Sequence, residues 1–200
     1  MDFITKLPRT NTQHDSIMVV VDNLTKVAHF IPVKITRKES KIAYVYMKEI
    51  ARLHGIPKII VSDRDPKFTS KFWKGLFNGF GTNLKFSIAY HLESDGQTER
   101  ENQVIEDMLR MYVMDKPSKW EDYLHLVDSA YNSGYQASIK MSPFETLYGR
   151  KCNTPVSSDN PTDKAVVGPE LLIEMEEKMS KINKNLNNSQ DRKKIYVNNE

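Results

Sequence analysis

Hydrophobic and polar residues alternate in blocks along the first half of the chain, and the blocks set the expected elements. Residues 1–5 read as the end of a strand. Leu7 to Asp15 carries Pro8, Asn11 and Asp15 and reads as a turn. Ser16 to Asp22 is a short apolar run rich in β-branched residues, the pattern of a buried strand. Asn23-Leu24-Thr25 turns the chain, and Val27 to Val33 returns as a third strand, with Pro32 marking an edge or an end. A three-stranded meander is therefore expected at the start.

Periodicity then changes. Ile42, Val45, Met47, Ile50 and Leu53 approximate one apolar face of a helix from Lys41 to Leu53, with Ser40 as a cap and Gly55-Ile56-Pro57 as the stop. Lys58 to Ser62 is a fourth strand that runs straight into Asp63. Ser70 to Phe80 reads as a helix closed by Gly81, and Leu84 to Ala89 as a fifth strand. Ser94-Asp95-Gly96 opens a long helix from Gln97 to Met114, and Trp120–Tyr131 and Pro143–Tyr148 follow as further helices. Strands followed by alternating helices and strands describe an α/β mixed sheet of five strands flanked by helices, an order that matches a ribonuclease-H-like fold. Composition shifts after Gly149. Residues 1–150 are thus expected to form the core domain, 151–168 a polar linker with Pro155, Pro161 and Gly168, and 169–200 a charged helical extension with an apolar stripe at Leu172, Met175, Met179, Ile182 and Leu186. A helix packed on one side and solvated on the other explains that stripe, and so does a helix that meets a partner.

The 200 residues are 39% hydrophobic and 28% charged, enough apolar material for a packed core. A formal net charge of +3 with a pI near 8.8 leans only mildly towards polyanions. Cys152 is the single cysteine, so no disulfide framework exists and a reducing, intracellular setting is expected. His14, His29, His54, His91 and His125 are scattered and make no zinc pattern. No apolar run reaches the roughly 20 residues of a membrane span, so no membrane partner is expected.

Three carboxylates stand where a chain is rigid yet open. Asp2 lies on the first strand, Asp63 at the carboxyl end of the fourth, and Glu99 in the first turn of the long helix. Ligands collect at the carboxyl ends of strands in α/β sheets. Hard oxygen donors of this kind suit magnesium or manganese rather than zinc, and a pair of such ions supports phosphodiester chemistry. Taken singly, acidic residues at strand ends and helix starts are usually caps or solvated side chains, and Asp22 is read simply as a turn residue. The spacing changes the weight, since thirty-five residues separate Asp63 from Glu99.

Dense blocks surround these positions: Met1-Asp2-Phe3-Ile4 with Leu7-Pro8-Arg9, His14-Asp15-Ser16-Ile17, Ala28-His29-Phe30-Ile31-Pro32, Leu53-His54-Gly55-Ile56-Pro57, Ser62-Asp63-Arg64-Asp65, Asp95-Gly96-Gln97-Thr98-Glu99-Arg100, Tyr131-Asn132 and Leu147-Tyr148-Gly149-Arg150. Over about residues 1–152 the sequence resembles the integrases of gypsy-type LTR retrotransposons, relatives of retroviral integrases. The resemblance implies a ribonuclease-H-like fold and an Asp…Asp…Glu triad in which Asp2, Asp63 and Glu99 are catalytic and hold Mg2+ (or Mn2+). It implies trimming of a DNA 3′ end followed by strand transfer into target DNA, a homo-oligomer as the working form, and action in the nucleus after a cytoplasmic stage. It also implies a zinc-binding domain before this stretch and a small domain after the 169–197 helix. Asp2 has one residue before it, so weaker support of that ligand, and lower activity, is expected of the chain as it stands. Where the family usually has His-Pro-Gln, this chain has His91-Leu92-Glu93, which loosens the loop and adds a negative charge beside the DNA path.

DNA approaching three carboxylates needs cations nearby. Arg64, Lys67, Lys71 and Arg100 are close in sequence to the triad, and Gln97 and Asn102 can hydrogen-bond phosphates or bases. His91 precedes the active-site loop and suits either a DNA contact or a structural hydrogen bond. Trp73, Phe77 and Phe80 follow helical spacing and are expected in the core, not on a base-stacking surface. Two other readings fit the same residues: a hydrolytic nuclease of this fold, such as a ribonuclease H, or a non-catalytic remnant that binds DNA or assembles with partners.

Overall fold

The computed structural model describes residues 1–86, Leu109 and residues 117–152. Its elements run β1 (Asp2–Ile4), β2 (Ser16–Val21), β3 (Ala28–Val33), α1 (Glu39–Tyr46) continuing through a π-helical turn (Met47–Ala51) into α2 (Arg52–His54), β4 (Ile59–Ser62), α3 (Pro66–Thr69), α4 (Lys71–Gly79) and β5 (Asn83–Phe86). A 3-10 turn (Pro117–Lys119), α5 (Trp120–Ser133) and α6 (Pro143–Tyr148) follow. Among the described residues, 1–21, 29–86 and 117–122 form one compact unit, and 22–28, Leu109 and 123–152 belong to a second.

The meander expected from the alternating blocks is present, with strands in the order β1-β2-β3. β1 runs antiparallel to β2 with Asp2 opposite Val19 and Ile4 opposite Ile17. Pro32, which cannot donate to a ladder, sits on β3 at the edge of that sheet. β4 and β5 pair in parallel from Ile59–Asn83 to Ser62–Phe86. Among the described residues the five strands thus form a three-stranded and a two-stranded sheet rather than one continuous sheet. One bond still bridges the gap, from the Met1 nitrogen to the Val61 carbonyl at 2.7 Å, and it sets the start of β1 beside β4.

Helix boundaries follow their caps. The first helix begins at Glu39 with Lys38 at the cap position and no side-chain cap, so Ser40, expected as the cap, is an ordinary exposed first-turn residue. Its buried face is Ile42, Ala43, Tyr46 and Ile50, while Leu53 is 54% exposed. The π-helical turn over Met47–Ala51 shifts the phase of the helix, and this takes Leu53 off the apolar face. The helix expected over Ser70–Phe80 is α4, and a short helix the sequence reading does not include, α3, precedes it. Asp65 caps α3, accepting from the Lys67 amide at 2.8 Å with Pro66 at the first position, and Ser70 caps α4, accepting from the Trp73 amide at 3.1 Å. Gly81, at φ +73°, closes α4, with the Thr82 amide bonded back to the Phe77 carbonyl at 2.9 Å.

The core of the first unit is aromatic. Tyr46, Phe68, Trp73 and Phe77 interlock, with ring centroids 4.8 Å apart for Trp73–Phe77 and 5.2 Å for Phe68–Trp73. Met18, Ile31, Val33, Ile42, Ile60 and Phe3 complete the cluster. Phe80 was expected in this core but is 47% exposed, because it lies past the last turn of α4. In the second unit, Asn132 accepts from the Ala28 amide at 2.9 Å and donates to the Ala28 carbonyl at 2.8 Å, a two-point clamp that explains why the Tyr131-Asn132 pair stands on the inner side of α5. Asp22 begins a tight turn there, its Oδ2 accepting from the Thr25 amide at 2.9 Å and the Thr25 hydroxyl at 2.6 Å. Ser142 caps α6 and Gly149, at φ +70°, ends it. Among the described residues no helix is long and apolar enough to cross a membrane.

Candidate active site

Asp2 and Asp63 come together where β1 passes the end of β4. Strand alternation sends Phe3 into the core and leaves Asp2 on the other side, half-buried. Phe3 stacks on Phe68 with centroids 4.7 Å apart and planes within 6°. Phe68 belongs to α3, which starts three residues after Asp63. The stack therefore ties the strand that carries Asp2 to the helix that follows Asp63, and the Met1–Val61 bond ties the same two segments from the other end. Asp2 Oδ1 accepts from the Phe3 amide at 2.7 Å, which orients its carboxylate.

The electrostatics of Asp63 are those of a carboxyl group in need of a cation. Burial pushes its pKa up from 3.8 to about 6. The Asp65 backbone amide and the amino group of Met1 pull it down, while the charges of Asp2 and Asp65 push it up. Asp63 Oδ1 is buried and has no hydrogen-bond partner among the described residues. An orphaned carboxylate oxygen with a second carboxylate close enough to repel it suits a hard divalent cation. Asp2 and Asp63 are the residues that would hold one. Asp65, by contrast, is committed to capping α3.

Glu99, the third expected ligand, lies outside the described residues, as do His91, Gln97, Arg100 and Asn102. Among the described residues no three His, Cys, Asp or Glu gather around one point. Of the expected DNA contacts that are described, Arg64 and Lys71 are exposed and Lys67 is half-buried, all within eight positions of Asp63 in the segment from the end of β4 into α4. The linker and the extension expected at 151–168 and 169–200 also fall outside the described residues beyond Cys152. The Phe3–Phe68 clamp is not part of the sequence expectation. Its signal was present in the spacing, since each phenylalanine stands next to or near an acidic residue in a turn-bounded block, but pairing across 65 positions needs the fold.

No protein-family model matches the chain. It is 35% identical over 148 residues to the Tf2-3 transposon polyprotein of Schizosaccharomyces pombe, a match that takes in 74% of this chain and 11% of that one. The Tf2-4 polyprotein of the same yeast matches to the same degree, 35% over 148 residues. The chain is homologous to a stretch of the Tf2 transposon polyproteins. It spans about a tenth of their length (11%). Among solved structures it resembles the simian T-cell lymphotropic virus intasome in complex with the PP2A regulatory subunit B56γ, with TM-score 0.61, 17% identity, and coverage of 76% of this chain and 55% of that one. It also resembles the HTLV-2 integrase catalytic core in complex with magnesium, in its dimeric form, with TM-score 0.56, 15% identity, and coverage of 74% and 94%. The catalytic core of BIV integrase gives TM-score 0.54 at 21% identity, covering 72% of this chain and 91% of that one. The fold is that of a retroviral integrase catalytic core.

Proposed function

We propose that this chain is the catalytic core of a retrotransposon integrase of the gypsy type, a polynucleotidyl transferase that trims the 3′ ends of element DNA and joins them to target DNA. The observation that carries the reading is the meeting of Asp2 with Asp63, whose buried oxygen lacks a partner. Homology to transposon polyproteins and the integrase-core fold support it. Asp2 and Asp63, with Glu99 as the third ligand of this reading, would hold magnesium or manganese. When bound, such cations activate the attacking oxygen and stabilise the leaving one. The protein's own side chains do the positioning. Phe3 and Phe68 hold the two aspartates at one place, and Arg64, Lys67 and Lys71 face the phosphates that the acidic site would otherwise repel. Arg100, Gln97, Asn102 and His91, outside the described residues, are the further DNA contacts of this reading. The reaction needs no covalent enzyme intermediate: water attacks in the first step, and the freed 3′-hydroxyl attacks the target phosphodiester in the second. The chain works as a homo-oligomer in the nucleus.

A strand-transfer assay with labelled element ends tests this. Asp63→Asn and Glu99→Gln are expected to abolish joining in the presence of magnesium, while Asp22→Asn retains it. Equal loss in Asp22→Asn would reassign the first-strand ligand. Cleavage of RNA–DNA hybrids without DNA joining would move the reading to a ribonuclease H.

A further inference from the structure

Two imidazoles meet between the edge strand and the end of the first helix. His29 stands on edge strand β3 and His54 ends α2, and their Nε2 atoms lie 2.8 Å apart. The ring centroids are 4.9 Å apart and the planes are tilted by 49°. His29 is half-buried and His54 is exposed. We propose that His29 and His54 form a two-imidazole clamp for a divalent transition-metal cation of the nickel and copper class, separate from the oxygen-ligand site of the integration chemistry.

The geometry argues for this in three ways. First, the two Nε2 atoms face each other across a single short gap. Two protonated rings would set N–H against N–H at 2.8 Å, so at least one ring is neutral. A ring that donates the shared hydrogen bond need only move its proton to Nδ1 to become a ligand, and no net proton is lost.

Second, the spacing matches one coordination geometry better than another. With metal–nitrogen bonds of about 2.0–2.1 Å, two nitrogens at right angles stand about 2.9 Å apart, and at the tetrahedral angle about 3.3 Å. The observed 2.8 Å matches the spacing of neighbouring corners of a square-planar or tetragonal site. The ring centroids, 4.9 Å apart, show a nearly head-on pair, so both rings turn to bring their lone pairs onto one ion. Tetrahedral zinc would require the rings to part by about half an ångström. Third, the two ligands are held before any ion arrives. His29 is fixed in a strand between buried Ala28 and Phe30. His54 is on an ordered last turn, where Gly55, at φ +78°, ends the helix and donates to the Ala51 carbonyl at 2.8 Å. Preorganised ligands lose little entropy on binding. Among the described residues no third His, Cys, Asp or Glu joins the pair, so water fills the other corners. A bound ion would fasten the end of the α1–α2 helix to the edge strand of the sheet.

Calorimetric titration of the full chain with Ni2+, in excess Mg2+ to occupy the oxygen ligands, tests the proposal. One equivalent is expected to bind, with an accompanying rise in melting temperature. His29→Ala and His54→Gln should each weaken the affinity about tenfold or more, since even the loss of an outer-shell group commonly costs that much. His125→Ala should leave it unchanged, because His125 is exposed on α5 and apart from the pair in sequence. His54 is exposed, so its replacement leaves the core intact, and far-ultraviolet circular dichroism checks this. Equal nickel affinity in His54→Gln and the parent, or no saturable binding in the parent, would overturn the site. A zinc affinity above that for nickel would overturn the right-angle geometry. DNA joining is not measured, so this test and the strand-transfer test fail independently.

Discussion

Replacing Asp63 with asparagine is expected to make the cation-free protein more stable above pH 6 while abolishing DNA joining. The folded chain holds the Asp63 proton up to about pH 6, whereas a carboxyl in the unfolded chain releases it near 3.8. Folding therefore takes up a proton between those values. The resulting stability is fully present below about pH 4, declines as pH rises through the window, and is gone above about 6. A shift of that size corresponds to about 3 kcal/mol at 1.4 kcal/mol per pH unit. Asp63 is partly open to solvent, and screening reduces the expected effect to about 1–2 kcal/mol. Asparagine has the same shape and no charge to bury, and its amide can donate towards Asp2. Urea unfolding of both proteins in a chelator, at pH 4.5 and pH 8, reads the difference directly. The parent should lose about 1–2 kcal/mol relative to Asp63→Asn between the two pH values. Magnesium at pH 8 should restore the parent and leave the variant unmoved, because only the parent retains the ligand. A gap between the two proteins that stays constant from pH 4.5 to 8 would refute the argument that burial without a partner raises the Asp63 pKa.

Other outcomes follow from single contacts. Trp73→Ala should cost about 3–5 kcal/mol in urea unfolding, as expected of a fully buried aromatic. Trp73→Phe should cost far less, because the Trp73 Nε1 it removes is buried without a partner among the described residues. Ser142→Ala removes the cap of α6 and should lower stability by about 1 kcal/mol, with Ser142→Asp restoring most of it. Asp22→Asn should change stability by less than about 0.5 kcal/mol, since an asparagine oxygen can still accept from Thr25.

The strands were legible because their signal is local. The β-branched run at 16–22 and the Pro32 edge signal depend only on near neighbours, and both appear where the pattern puts them. The helices were less so. Nothing in the sequence of residues 47–51 marks a π-helical turn, yet that wider turn decides that Leu53, which follows it, faces water. The break at Ser70 was visible in part: Asp65-Pro66 is a cap followed by a favoured first-turn residue, and it announces a short helix before the one that Ser70 opens.

The site divides along the same line. Asp63 could be found from its place at the end of an apolar strand, because that place is set by sequence. Its raised pKa could not, since it depends on burial and on Asp2 arriving from 61 positions away. The surroundings of Asp2 depend on the fold in the same way. A residue near the start of a three-residue strand has little ladder around it, and a loosely held ligand is the natural expectation. The structure holds it by other means. Phe3, the next residue, is clamped face to face on Phe68, and Phe68 is buried against Trp73, so the position of Asp2 is inherited from the aromatic core rather than from the sheet. A stacked pair within 6° of parallel tolerates little sliding once its far ring is wedged. Short strands can therefore carry ligands at this site provided the adjacent residue is a large core aromatic, and the pairing of Asp2 with Phe3 meets that requirement at the one place where β1 and β4 approach.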